Sequence, residues 1–194
     1  DVAKRNLANH YNCEFHHADV DNIPLADESM DFAYALGVLH HIPNTQEAMI
    51  KCVEKLKPGA PFLVYLYYSF ENRPIWFRIL WKISEIIRGK VSKLPLGLRY
   101  FISQIIACII YMPLARTSFF LEKIGINVNH IPLSAYRNRS FYTMRTDALD
   151  RFGTRLENRF TKKEVKKMME LANLENIIFS DDIYWCAVGF RKKL

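Results

Sequence analysis

Four residues in the first quarter of the sequence have the types and spacing to do chemistry together. Asp19 follows a short apolar stretch, and its carboxylate can only accept hydrogen bonds. Gly37 ends the compact run Met30-Asp31-Phe32-Ala33-Tyr34-Ala35-Leu36, and a residue without Cβ lets a ligand approach the backbone closely. His40 and His41 follow at once. Imidazole titrates near neutrality, so either could take a proton from a hydroxyl or an amine. Adjacent side chains point in different directions, so at most one of the two faces a shared pocket. A second group lies further along: Tyr142, Arg145, Asp147, Asp150, Arg151, Glu157 and Arg159, set among Phe141, Phe152 and Phe160. It reads either as a lid over an acceptor molecule or as a surface loop held by ion pairs, each contributing little.

The elements that must position these residues can be read from hydrophobic period and stop signals. Residues 2–12 read as a helix and Glu14–Asp19 as a short strand. A turn-rich stretch containing Pro24 leads to a buried strand over 30–36. Asn44 is an N-cap with Glu47 three residues on. The helix it opens carries Ala48, Met49, Cys52, Val53 and Leu56 and stops at Lys57-Pro58-Gly59. Residues 60–67 read as a central strand. A basic, Trp-containing amphipathic helix follows over 74–90. The sixteen uncharged residues 100–115, interrupted by Pro113, are short of a membrane span and read as a buried or interfacial helix. Thr161 caps a last helix with Glu164 in the capping-box position, and strands over 177–180 and 184–190 close the chain. Strands alternating with helices predict an α/β fold, Rossmann-like, with a mostly parallel sheet and an antiparallel closing strand. Ligands of such sheets sit beyond the carboxyl ends of the strands, here just after Ala18, Leu36 and Tyr67. The expected organisation is a core part at 1–69, a helical insertion or cap at 70–133, and an acceptor-side loop with closing elements at 134–194.

Two stretches resemble the middle motifs of class I S-adenosylmethionine-dependent methyltransferases. One runs Ala18-Asp19-Val20-Asp21-Asn22-Ile23-Pro24-Leu25 and on through Asp27-Glu28-Ser29-Met30-Asp31-Phe32. The other is Gly37-Val38-Leu39-His40-His41-Ile42-Pro43, followed by Leu56-Lys57-Pro58-Gly59. Met30 and Ala60 depart mildly from the family pattern. The resemblance implies S-adenosyl-L-methionine as methyl donor. It implies that Asp19 accepts from the adenine amino group, with the Val20 backbone N–H on a ring nitrogen. The methionine part is then expected against Leu36, Gly37 and Val38, with His40 and His41 as the catalytic candidates. Tyr142, Arg145, Asp147 and Arg151 are the acceptor-side candidates. The family's glycine-rich loop is not among the seven scattered glycines, and it is expected upstream of Asp1.

Composition narrows the partners. Half of the 194 residues are hydrophobic, with 13 Phe and 10 Tyr, which excludes a disordered chain. Cys13, Cys52, Cys108 and Cys186 are far apart, so no metal site is expected; free thiols point to a reducing compartment, the cytoplasm. The net charge of +7 is concentrated after residue 66, which implies an anionic partner. The apolar, aromatic insertion favours a lipophilic or aromatic small-molecule acceptor and allows peripheral membrane contact. Two rivals stay open. A nucleic-acid methyltransferase fits the basic charge, although the basic residues do not form one stripe with stacking aromatics. A non-catalytic interaction module would follow if the donor loop were absent.

Overall fold

The computed structural model describes residues 2–71, 73–181 and 185–193. In chain order the regular elements are α1 (Val2–Asn6), β1 (Ala33–Leu36), α2 (Thr45–Glu54), β2 (Pro61–Tyr65), α3 (Ile75–Val91), α4 (Leu96–Ile106), a π turn (Ala107–Tyr111), α5 (Met112–Lys123), α6 (Phe141–Gly153), α7 (Lys162–Leu171), β3 (Leu174–Phe179) and β4 (Ala187–Arg191). They fall into two compact units. A core unit combines residues 1–71 with 158–194, and a helical unit comprises 72–157. Residues 134–157, grouped above with the closing elements, therefore belong to the helical unit.

The core unit is α/β. Its described sheet has the order β1-β2-β4-β3. β1 lies parallel to β2, with Ala33 opposite Phe62 and Leu36 opposite Tyr65. β4 is antiparallel to both β2 and β3. Three strands thus run one way and β4 runs against them, which is the closing strand expected from the sequence. The alternation of β2 explains its place. Phe62, Val64 and Leu66 have no exposed surface, while the intervening residues are half-buried. A chain that buries every second residue on one face and pairs on both edges is a central strand.

Local signals place the helices. Asn44 Oδ1 accepts from the Glu47 N–H at 3.2 Å and opens α2. Thr161 and Glu164 form the full reciprocal capping box of α7. Other expectations need correction. Glu14–Asp19 is not a strand. Its residues are exposed, and none pairs with a neighbour among the described residues; Phe15 alone gives too little apolar surface to dock it. The first helix ends at Asn6, and the strand read at 30–36 pairs with β2 only from Ala33, Met30 forming a lone bridge to Leu56. The strand read at 177–180 begins at Leu174. It carries an irregularity between Glu175 and Ile178, where Asn176 takes a left-handed backbone. Of the last strand as read, Tyr184 lies outside the described residues.

In the helical unit, α6 presents Met144, Ala148 and Phe152 to Val91, Ile106, Ala107, Tyr111 and Ala115. Pro113 does not break the helix before it. The wide π turn over 107–111 precedes it, so Pro113 falls in the first turn of α5, where its missing N–H costs least. The result is one helical run, Leu96–Lys123, of 28 residues, long and apolar enough to cross a membrane. Arg99 Nη1 donates to the Gly153 carbonyl at 2.8 Å and Arg116 Nη1 to the Arg137 carbonyl at 3.1 Å, so charged residues tie this run to the rest of the unit.

Phe62→Ala should remove the best-packed side chain of the central strand. A loss of about 3–5 kcal/mol is expected, read from the urea midpoint of the core transition.

Candidate functional site

Strand ends and two short turns build the candidate site of the core unit. After β1 the chain reverses at Gly37, whose φ of +72° is a left-handed value that disfavours any side chain. Its N–H donates to the Tyr65 carbonyl at 3.0 Å, which locks the turn to the end of β2. A Cβ added at Gly37 would meet nothing within 4 Å. The backbone there is therefore open to a ligand. A 3-10 turn, Leu39–His41, follows and is tied from both sides. Thr45 Oγ1 donates to the Leu39 carbonyl at 3.1 Å, and the Asn158 N–H donates to the His40 carbonyl at 2.9 Å.

Facing this turn is a second one, Val20–Asn22, entered through Asp19. Asp19 stands in the capping position of that turn, yet its side chain makes no capping bond. A cavity of about 550 Å³ lies between the two turns, lined by His17, Ala18, Asp19, Val20, Val38 and Ile42. The structure thus brings three of the donor-side candidates, Asp19, Val20 and Val38, onto one cavity. Leu36 is exposed at the end of β1, and Gly37 adjoins Val38. His17 and Ile42 were missed by the sequence reading. Ile42 sits within the quoted motif, whereas His17 carried no signal because its segment was taken for a strand.

The two histidines differ. His40 is fully buried, and its ring stacks on Tyr67 at 3.8 Å between centroids. Neither of its nitrogens has a hydrogen-bond partner among the described residues. Burial above all, helped by His41 and the Arg159 guanidinium, lowers its pKa to about 3. His40 is neutral at any physiological pH and too weak a base to take a proton there. His41 is half-buried, with its ring edge-on to Tyr67 at 5.8 Å. Arg159 lies 5.0 Å from the Tyr67 ring and 4.6 Å from the Phe70 ring, and donates to the Tyr68 carbonyl at 3.2 Å. Phe70 is held at a left-handed φ of 59°, an unusual conformation for a bulky residue. Asn158, which binds the His40 and Ile42 carbonyls, had no signature in the sequence.

The acceptor-side candidates all lie on α6 in the helical unit. Tyr142 is 75% exposed. Arg145 donates to Gln104 and, at 2.8 Å, to the Tyr100 hydroxyl. Asp147 acts on Tyr111: burial first, with Asp147, Glu157 and Asp150 adding to it, pushes that phenol well above its ordinary value. Arg151 bridges Glu157 and Glu85, at 3.0 Å each, and Glu85 also pairs with Arg88. Burial alone would raise the Glu85 carboxyl, but the bonds from Arg88 and Arg151 more than offset it and hold the pKa low. Arg151 is thus engaged in an internal ion cluster.

Residues 1–64 match a family model described as a methyltransferase domain. Over this segment, a third of the chain, the sequence is that of a methyltransferase domain, and the segment includes the Gly37 turn and both histidines. Among curated relatives, the sterol 4-C-methyltransferase strm-1 of Caenorhabditis elegans is 40% identical over 53 residues, covering 27% of this chain and 16% of that protein. Sterol methyltransferase-like 1 of Botryococcus braunii is 40% identical over 55 residues, covering 28% of this chain and 14% of its own length. The chain thus matches less than a fifth of either relative. A solved structure described as a possible exported protein from Bordetella parapertussis superposes with a TM-score of 0.52 at 13% identity, over 98% of this chain and 49% of the other; this likeness concerns the fold alone.

Two outcomes follow from the site. The unfolded chain restores the His40 pKa to its ordinary 6.5, so it takes a proton that the folded state refuses. Stability should therefore fall as pH drops from 6.5 toward 3, by at most about 1.4 kcal/mol per pH unit. Urea melts across that range should show the slope flattened in His40→Phe. Arg151→Ala leaves Glu85 and Glu157 without their shared cation, so a loss of about 3 kcal/mol is expected in the thermal unfolding of the helical unit. A residue that serves only to bind an acceptor would leave that transition unmoved.

Proposed function

We propose that the protein transfers a methyl group from S-adenosyl-L-methionine to a lipophilic or aromatic small molecule. The observation that carries this reading is the cavity between the two turns, on which Asp19, Val20 and Val38 converge. The residues there fit the donor. An acidic side chain that does not cap its own turn is available for an amino group, and the open backbone at Gly37 leaves room for a chain to lie against it. When bound, the donor supplies a methyl group on a strongly electrophilic sulfonium. The chain's own part is then positioning: holding two molecules in line can supply most of the acceleration. His41 is the residue we assign to take the acceptor's proton on a ring nitrogen, with His40 a neutral ring packed behind it. The lipophilic acceptor is supported by the two curated relatives, a sterol 4-C-methyltransferase and a sterol methyltransferase-like protein, and by the apolar, aromatic composition of the helical unit.

Calorimetric titration of the full-length protein with S-adenosyl-L-methionine tests this. Asp19→Ala should weaken binding about tenfold or more, the loss expected for a charge-assisted hydrogen bond. His41→Asn should leave donor affinity intact and lower the rate of methyl transfer. No donor binding by the unaltered protein, or unchanged affinity in Asp19→Ala, would overturn the assignment.

A further inference from the structure

Helix α3 is turned inside out. Its inward face carries Trp81, Ser84, Glu85 and Arg88, the last only 8% exposed. Glu85 pairs there with Arg88 and Arg151, Ser84 Oγ receives a further Arg151 N–H at 3.3 Å, and Arg88 Nη1 donates to the Thr154 carbonyl at 2.7 Å. The outward face carries Ile75, Trp76, Ile79, Leu80, Ile83 and Ile86, each between 46% and 67% exposed. Their spacing of three and four residues makes one continuous stripe along about three turns. A soluble helix normally buries such a stripe. Here Glu85 and Arg88 are turned inward and the apolar stripe is bare. Contiguous exposed apolar surface of this kind marks a binding face.

Charge decides what covers it. Glu85 is the one acid in α3, and it is turned inward. Exposed Arg78 and Lys82 run along one edge of the stripe, Lys90 stands at its end, and exposed Lys93 follows. The helical unit as a whole carries fourteen Lys/Arg against five Asp/Glu, a net +9, whereas the core unit carries thirteen against fifteen, a net −2. A second copy docked on the same face would bring these cations against their own kind. An anionic bilayer offers acyl chains to the stripe and headgroup charge to its rim, and Trp76 suits the boundary between the two.

We propose that the outward face of α3 docks the protein on anionic membrane, with the helix lying in the plane of the headgroups. Membrane docking stands independently of the methyl-transfer reading. That the acceptor is drawn from the same bilayer rests on it.

The test is co-sedimentation of the full-length protein with phosphatidylcholine vesicles containing about 30% phosphatidylserine, without any methyl donor. Binding is expected at low salt, weakened by high salt and by omission of phosphatidylserine. Tryptophan emission should shift to the blue on binding, and the shift should be lost in Trp76→Phe. Ile79→Glu/Ile83→Glu should abolish sedimentation, and Arg78→Glu/Lys82→Glu should lower partitioning by at least about thirtyfold. Both pairs point outward, so circular dichroism and melting should match the unaltered protein. The proposal is overturned if the protein stays in the supernatant, if either double variant binds as before, or if pure phosphatidylcholine binds equally well. Light scattering that shows a dimer broken by Ile79→Glu/Ile83→Glu would assign the face to a second copy. RNA that displaces the protein from vesicles would assign the charge to nucleic acid. Either result overturns it. Donor binding measured separately keeps a failure here distinct from a failure of the proposed function.

Discussion

The pairing of β2 on both of its edges is the constraint on which the core unit depends. Its parallel partner β1 carries the turn at Gly37, and its antiparallel partner β4 brings the end of the chain against the middle. Phe62, Val64 and Leu66 then have no route to solvent. The carbonyl of Tyr65, at the last rung, receives the N–H of Gly37, and that single bond sets the direction in which Val38 and the two histidines leave the sheet. The geometry of the cavity is therefore inherited from strand register. A slip of one residue along β2 would reverse every side chain on it and move the Gly37 turn with them.

The helical unit is organised by a different force. Its interior contains a chain of ions, Arg88–Glu85–Arg151–Glu157, in which Arg88 also donates to the Thr154 carbonyl and Arg151 to the Ser84 hydroxyl. Buried ion pairs of this type contribute little net stability, because desolvation offsets most of the attraction. What they fix is orientation. With Glu85 and Arg88 satisfied only when turned inward, α3 cannot rotate to bury its isoleucines without stranding two charges. The unusual exposure of the apolar stripe thus follows from the polar partners on the other side of the same helix.

Much of this was legible in the sequence where the cause was local. Asn44 and Thr161 mark helix starts through their own hydrogen bonds, and the alternation from Phe62 onward marks a strand through burial. The motif residues Asp19, Val20 and Val38 did meet at one cavity. What could not be read had non-local causes. Glu14–Asp19 has strand character but no partner beside it, so composition misled. His40 and His41 are identical as letters; burial against residues brought in from elsewhere, Tyr67 among them, makes one a neutral ring. Arg151 looked like a recognition residue because its two carboxylate partners are six and sixty-six positions away, and only the packing of α3 on α6 unites them. Pro113 suggested a break, but a wide turn upstream absorbs the ring.

The discontinuity of the core unit has a consequence for how the chain is made. β2 emerges from the ribosome with β1 already available, but its other neighbour is encoded more than a hundred residues later. The helical unit between them is contiguous in sequence and is complete once residue 157 has been made. All of the helical unit's residues are therefore synthesised while one edge of β2 still stands open. An unpaired apolar strand edge invites association with other chains. The nascent protein is then exposed to misassembly for the time needed to translate residues 66–191, and its yield in a cell depends on translation speed and chaperone supply as much as on the stability of the finished fold.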